Sequence, residues 1–161
     1  MKKLFQLVSI AIILITFYRC SKTSTNSNNI PPTSSQWTFK KITYQGVGTS
    51  YDTIGTIPPS SSVLKSSDSA TDNIYVTFWV KPTDSGSFAV NRGNLPQPLP
   101  NTCTIALNHA GNVYFSTGKI GDKVDLKISG DTLTASFINI TVEINDTSFA
   151  TANVSGTLIK K

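Results

Sequence analysis

The sequence predicts an all-β domain over residues 37–161, folded as an antiparallel β-sandwich of about nine or ten short strands. Two observations predict this class. Thr, Val, Ile, Ser and aromatic residues dominate the region while Leu, Ala and Glu are few, as is typical of sheets. Apolar alternation recurs at spacings of about 8 to 12 residues, and no helical periodicity is sustained. A lipocalin-like closed barrel remains the alternative, because similar strands and turns build it.

The clearest strand spans residues 73–80, where both faces carry bulky side chains. One face holds Ile74, Val76, Phe78 and Val80, and the other holds Tyr75, Thr77 and Trp79. A strand with two apolar faces is expected in the centre of a sheet. Turn-forming residues occupy 81–86, and alternation resumes at 87–90, which predicts a hairpin between the two segments.

A second hairpin is predicted around Gly130-Asp131. Val124, Leu126 and Ile128 alternate before this turn, and Leu133, Ala135 and Phe137 alternate after it. After Phe137 the apolar phase moves by one residue, to Ile138, Ile140, Val142 and Ile144, which predicts a β-bulge at Asn139. The small inward residues of the final strand, 150–158, predict that it is tightly covered. Shorter strands are expected at 37–44, 51–57, 62–66 and 113–116.

The first 36 residues read as an export signal and a tether. Lys2 and Lys3 precede an apolar run over 4–18, which is shorter than the roughly 20 residues that span a bilayer. Residues 1–19 are therefore predicted to be a signal peptide with a signal helix, and Cys20 stands where bacterial lipoproteins carry their acyl chains. The large, charged Arg19 departs from the usual lipoprotein cleavage pattern, so plain secretion or an uncleaved anchor remains an alternative. Residues 20–36, rich in Ser, Thr and Asn, are expected to be a disordered tether.

Most of the net positive charge of the chain lies in the predicted export signal. The formal net charge is +5, but only +2 remains from Cys20 onward, because Lys2, Lys3 and Arg19 belong to the signal. The other basic residues are scattered among acids and threonines. Without a basic, aromatic stripe, no nucleic-acid partner is predicted.

Catalytic and metal-binding constellations are not apparent in the sequence. His109 is the only histidine and is interpreted as a solvated turn residue. Cys103 shares the alternating face of Ile105 and Leu107, so we interpret it as a buried, inert thiol. A bridge between Cys20 and Cys103 stays open if lipidation fails. No enzymatic activity, cofactor or metal site is predicted.

Three residues are candidates for a binding surface. Trp79 lies opposite the apolar face of its strand and would be exposed if that face of the sheet were not covered. Leu95 and Leu99 lie in a loop that three alternate prolines stiffen, and long loops often carry binding. The same loop also reads simply as a connector between sheets.

Three segments resemble small surface lipoproteins of the Bacteroidota type, of unknown function. They are Trp37-Thr38-Phe39-Lys40, Asp84-Ser85-Gly86-Ser87-Phe88-Ala89-Val90 and Val154-Ser155-Gly156-Thr157-Leu158. The resemblance covers the whole mature region. It implies an antiparallel β domain at the outer membrane and carries no catalytic residues.

Three functions follow as hypotheses. The first is a non-enzymatic binding or structural domain of the cell envelope, held in the membrane through a lipid at Cys20, with an envelope protein or a glycan as partner. The second is a lipocalin-like carrier of a small apolar ligand, which an internal cavity would favour. The third is an envelope hydrolase, which clustered carboxylates in a cleft would favour.

Overall fold

The all-β class predicted from the sequence is confirmed. A computed structural model describes residues 33–55, 60–68, 71–92 and 99–161, and Pro32–Lys161 form one compact unit. The described part contains eleven strands, slightly more than predicted, and no helix. Accordingly, none of these residues forms a helix that could cross a membrane. The predicted signal peptide, the lipidation residue Cys20 and Leu95 lie outside the described residues.

The strands follow the chain in this order: β1 Gln36–Phe39, β2 Ile42–Gln45, β3 Gly48–Ile54, β4 Ser61–Ser67, β5 Asn73–Phe78, β6 Gly86–Val90, β7 Thr102–His109, β8 Asn112–Ser116, β9 Lys123–Ser129, β10 Thr132–Ile144 and β11 Thr151–Lys160. They hydrogen-bond in the order β2-β1-β11-β10-β9-β6-β7-β5-β4-β3, and β8 pairs with both β10 and β7.

One strand pair departs from the predicted antiparallel pattern. β6 and β7 run parallel through the pairs Ala89↔Thr102 and Val90↔Cys103, so the sheet is mixed. The long connection through residues 91–101 allows this, since β7 can start beside the end of β6 and continue in the same direction.

The predicted central strand is confirmed, but its predicted hairpin partner is wrong. β5 pairs with β4 on one side and β7 on the other. Residues 87–90 lie in β6, which pairs with β9 and β7 instead. β5 ends at Phe78, but the chain stays beside its neighbours: Trp79 N–H donates to the Thr102 carbonyl of β7 at 3.3 Å, and Lys81 N–H donates to the Ser60 carbonyl, just before β4, at 2.8 Å.

The hairpin around Gly130 and the bulge at Asn139 are both confirmed. β9 and β10 pair from Ser129↔Thr132 onward. Along β11, the register of β10 shifts between Phe137 and Ile140, and Asn139 adopts a left-handed φ of 54°. One expectation about this segment is wrong: Ile138 does not join the inward phase but is 79% exposed. The inward phase resumes at Ile140 because the bulge places an extra residue in the strand.

The bulge marks the point at which β10 changes partner. Before it, β10 pairs with β9 as far as Phe137↔Val124; after it, β10 pairs with β8 from Val142↔Ser116 to Ile144↔Tyr114. β7 is shared in the same way, with β6 and then β8 along one edge. The strand order has two halves, β2-β1-β11-β10-β9-β6 and β7-β5-β4-β3. The pairings of β6 and β8 with β7 join these two halves along one side of the domain. Since β2 and β3 end the order on the other side, the described strands fit a sandwich and do not form a single closed barrel.

The core lies between these two halves and forms one cluster. Its largest fully buried side chains are Trp37, Phe39, Leu64, Ile74, Phe78, Ile105, Leu107, Ile140 and Leu158. Trp37 stacks on Tyr44 with ring centroids 5.5 Å apart. The predicted tight cover over the final strand is also present, since a methyl group on Gly156 would lie 2.8 Å from Trp37 Cβ. All these core residues belong to the Pro32–Lys161 unit, so we expect that unit to fold by itself.

The folded domain begins slightly earlier than the predicted boundary at Trp37. Ser35 is only 2% exposed. Its hydroxyl accepts from Ile159 N–H at 2.8 Å, and its carbonyl accepts from Gly46 N–H at 2.8 Å. Ser35, which the sequence predicts as part of the tether, therefore helps to join β11 to the connection between β2 and β3.

The left-handed conformation of Asn139 allows a direct test of the bulge. Asn139→Gly should leave the free energy of unfolding within about 0.5 kcal/mol, because glycine adopts this conformation freely. Asn139→Val should cost about 1–2 kcal/mol or more, because a β-branched residue is strained there. Urea unfolding measures both values.

Asn153→Val is the matched control, because Asn153 lies in β11 opposite Thr141 and is not among the residues with positive φ. It should cost nothing measurable. Equal destabilisation by the two valine variants would contradict a bulge at position 139.

Candidate binding surface

The structure describes two of the three residues predicted to form a binding surface. Trp79 follows β5 and is half-buried, and its buried indole Nε1 has no hydrogen-bond partner among the described residues. Leu99 is 47% exposed, and its carbonyl accepts a 2.7 Å hydrogen bond from the Thr102 hydroxyl. Leu95 lies outside the described residues. Trp79 N–H also donates to the Thr102 carbonyl at 3.3 Å, so both residues lie beside the start of β7. Their role in binding stays a prediction.

A different surface stands out on the outer face of the half formed by β2, β1, β11, β10, β9 and β6. Paired residues form a polar row across all six strands: Gln45, Gln36, Thr157, Ser136, Asp125 and Ser87. A second row contains Thr43, Thr38 and Ser155, and ends at the bulge. We call this surface the outer polar face.

The bulge raises a large apolar side chain, that of Ile138, from the outer polar face. Asn139 N–H donates to the Ser155 hydroxyl at 2.9 Å, which holds the bulge against β11. Ile138 stands beside this bond and lines two neighbouring grooves. One groove, of about 340 Å³, is lined mainly by polar residues of β1, β2 and β11: Gln36, Thr38, Thr43, Ser155 and Thr157. The other, of about 190 Å³, is lined by Gly121, Lys123, Asp125 and Ser136, with Phe137 beneath both.

The smaller groove contains a polarised carboxylate. The Ser87 hydroxyl donates to Asp125 Oδ1 at 2.6 Å, and Lys123 Nζ lies 3.3 Å from the same oxygen. The Ser87 hydrogen bond is the main cause that holds the pKa of Asp125 below its ordinary value, and Lys123 contributes. Asp125 is thus an ionised acceptor at neutral pH with a cation beside it. The groove can offer both a hydrogen-bond donor and an acceptor to a polar ligand.

His109 is not the solvated turn residue that the sequence suggested. Its side chain is only 19% exposed, and its Nδ1 lies 3.0 Å from Asp72 Oδ1 and 3.1 Å from the Tyr44 hydroxyl. Burial, and then the charges of Asp72 and Asp68, raise the pKa of Tyr44. His109 ends β7, whereas Tyr44 belongs to β2, so this cluster joins elements from the two halves of the sandwich.

Lys40 completes the packing around His109. Its Nζ donates to the Tyr114 hydroxyl at 2.9 Å and lies 5.3 Å from the Phe39 ring centroid. Lys40 and Lys41 both have positive φ in the tight turn between β1 and β2, a conformation that is costly for lysine. The cation–π contacts offset part of that cost. Because this cluster ties β7 to β1 and β2 through hydrogen bonds and ring contacts, we interpret it as structural.

The described residues supply no assembled metal site. No group of three or more His, Cys, Asp or Glu side chains in that part of the chain could hold a metal ion. Cys103 is fully buried, as predicted, and burial raises its thiol pKa to about 12. A thiol with such a pKa is a poor nucleophile at neutral pH.

Comparison of the chain with protein-family models, with curated proteins and with solved structures finds no match.

Sequence reasoning missed Ile138 as a surface residue, although the signal was present. The change of apolar phase after Phe137 located the bulge, and a bulge needs one residue that leaves the alternation. Either Ile138 or Asn139 could have been that residue from pattern alone. In the structure both of them leave the inward phase. The partners across the strands, which place Asp125 and Ser87 in one row, could not be read from the sequence.

Proposed function

We propose that this protein is a non-enzymatic binding domain of the cell envelope, held in the outer membrane through a lipid at Cys20. The signal-like residues 1–19 and the polar tether 20–36 support the address and the anchor. The fold supports the binding role, because a β-sandwich presents a broad, rigid face on which a partner can dock without rearrangement of the core.

The observation that carries the binding role is Ile138. In the middle of a sheet face made of hydroxyl and amide side chains, a bulge lifts one branched apolar residue to 79% exposure between two grooves. Bulges re-aim side chains and are often found beside functional sites. The residue at the centre of an interface commonly contributes most of its free energy, and a polar rim surrounds it.

The lining of the grooves favours a polar partner, either a glycan or an envelope protein. Lys123 and Asp125 balance each other in charge, and the remaining polar residues are neutral. Such a lining can donate to and accept from hydroxyls or backbone amides. The linings of these grooves are mixed in polarity, so they do not favour the alternative of a carrier for a small apolar ligand.

The anchor can be tested by the intact mass of the protein from membrane fractions. The mature chain should begin at Cys20 and carry the added mass of acyl chains. Cys20→Ser should lose both the added mass and the membrane retention. An unmodified mass, or an uncut amino terminus, would show that Arg19 prevents lipoprotein processing and would contradict the anchor.

The binding surface can be tested with a labelled fragment of residues 32–161, which lacks the anchor. The probe is cell envelope isolated from a strain of the source organism in which the gene for this protein has been deleted. Co-sedimentation of the fragment with this envelope measures the dissociation constant. Ile138→Ser should weaken binding roughly ten-fold or more, since truncation of a central apolar residue commonly costs over about 1.4 kcal/mol.

Ile42→Ser is the matched control, because Ile42 is also an exposed isoleucine, at the start of β2 beside the β1–β2 turn. Its binding should equal that of the wild type. If Ile138→Ser and Ile42→Ser bind alike, the partner docks elsewhere and the outer polar face is not the site.

A further inference from the structure

The two edge strands, β2 and β3, differ in how readily another strand could pair with them. β2 has four residues, whereas β3 has seven and pairs with β4 without interruption from Gly48↔Ser67 to Ile54↔Ser61. Within the described residues, no strand pairs with the second edge of β3. That edge presents backbone N–H and C=O groups in the spacing that another extended backbone would satisfy.

β3 lacks the features that usually prevent edge pairing. Its sequence, Gly-Thr-Ser-Tyr-Asp-Thr-Ile, contains no lysine and no proline, and its register with β4 shows no bulge. Only Asp52 carries a charge. Natural edge strands are commonly protected by lysine, proline, a bulge or short length. β2 has the short length, and β3 has none of the four.

The sequence of β3 is complementary to itself in one antiparallel register. If Tyr51 pairs with Tyr51 of a second copy, all seven residues of each strand are paired. Ser50 then lies opposite the second copy's Asp52, and Thr49 lies opposite its Thr53. A register shifted by two residues, in which Asp52 pairs with Asp52 of the second copy, would place two negative charges directly opposite each other, which is unfavourable. Moving the register by one residue would place inward residues opposite outward ones.

Two features of β3 fit this register. Gly48 would lie opposite Ile54 of the second copy. Ile54 is 51% exposed, and nothing lies within 4 Å of the position that a Cβ on Gly48 would take, so Ile54 has room to pack there. The Ser50 hydroxyl donates to Asp52 Oδ2 at 2.9 Å within one chain, and the same donor and acceptor would face each other twice across the pair.

We propose that β3 is a homodimerisation edge, at which two copies of this chain join their sheets by antiparallel pairing centred on Tyr51. The proposal does not rest on the binding role of Ile138, because β3 and β10 are far apart in the strand order. One strand pair covers less area than the roughly 1,200 Å² of a stable interface. The dimer is therefore weak and forms as concentration rises.

The register is tested by mixing two variants of residues 32–161 that each carry one added cysteine, Ser50→Cys and Asp52→Cys. Residues directly opposite in an antiparallel pair lie about 4.5–5.5 Å apart, within the span of a disulfide. Two copies of Ser50, or two of Asp52, would lie on a diagonal of about 7–8 Å. After mild oxidation, the mixture should give a covalent dimer, and each variant alone should give little. The native Cys103 is buried and does not interfere.

Association itself is measured by sedimentation velocity over a series of concentrations. Thr53→Lys, which puts a lysine on the edge, should weaken the dimer roughly ten-fold or more. Asn153→Lys makes the same change of charge on β11 and should leave the dimer unchanged.

Three outcomes would overturn the proposal. The first is a monomer at every concentration, which would leave the edge open to an extended peptide of another protein. The second is cross-linking of each cysteine variant alone as fast as of the mixture. The third is equal weakening by Thr53→Lys and Asn153→Lys, which would point to a charge effect and not to β3.

Discussion

The fold depends on the bulge in β10. A strand can keep straight pairing with only one neighbour on each edge, yet β10 has β9 and then β8 on the same edge. The extra residue at positions 138–139 bends and twists the strand, so that its second part can leave β9 and reach β8. The hydrogen bond from Asn139 N–H to Ser155 fixes this bend against β11. One local irregularity thus determines which strands the two ends of β10 can meet.

The shape of the domain follows from this change of partner. β8 joins β10 to β7, and β6 joins β9 to β7, so one side of the sandwich is closed by hydrogen bonds. The core fills the space between the two halves. The opposite side is left with two edges, the short β2 and the long β3, and Ser35 bonds toward both: its carbonyl accepts from Gly46 N–H, and its hydroxyl lies 2.6 Å from the Thr49 hydroxyl of β3. The same bulge exposes Ile138, so the feature that closes the sandwich also makes its most distinctive surface. The closure of the sandwich and the proposed binding surface therefore both depend on Ile138 and Asn139.

Much of the fold could be predicted from local patterns. The strand class, the β9–β10 hairpin, the bulge, the central place of β5 and the burial of Cys103 all follow from alternation and turn chemistry over short stretches. The features that could not be predicted depend on strand pairs and side-chain contacts between residues that are distant in sequence. The parallel β6–β7 pair and the failure of the β5–β6 hairpin arise because β6 bonds to β9, some 40 residues later. His109 illustrates the same limit, since its partners Tyr44 and Asp72 lie far away along the chain. No local pattern could show that they would surround it.

The candidate surface was even less predictable than the fold. Trp79 and the proline-rich loop stood out in sequence because they are unusual, whereas the outer polar face is made of ordinary threonines, serines and glutamines. Its interest comes from their arrangement in rows across strands, and from an isoleucine that the bulge places among them.

The most direct measurement is a set of cross-strand nuclear Overhauser effects along β10 in the 32–161 unit. The account expects contacts from Phe137 to Val124 and from Val142 to Ser116 in the same folded molecule, with a break at Ile138 and Asn139. Contacts from Val142 to a strand other than β8, or an unbroken ladder between β10 and β11 with no extra residue, would contradict it.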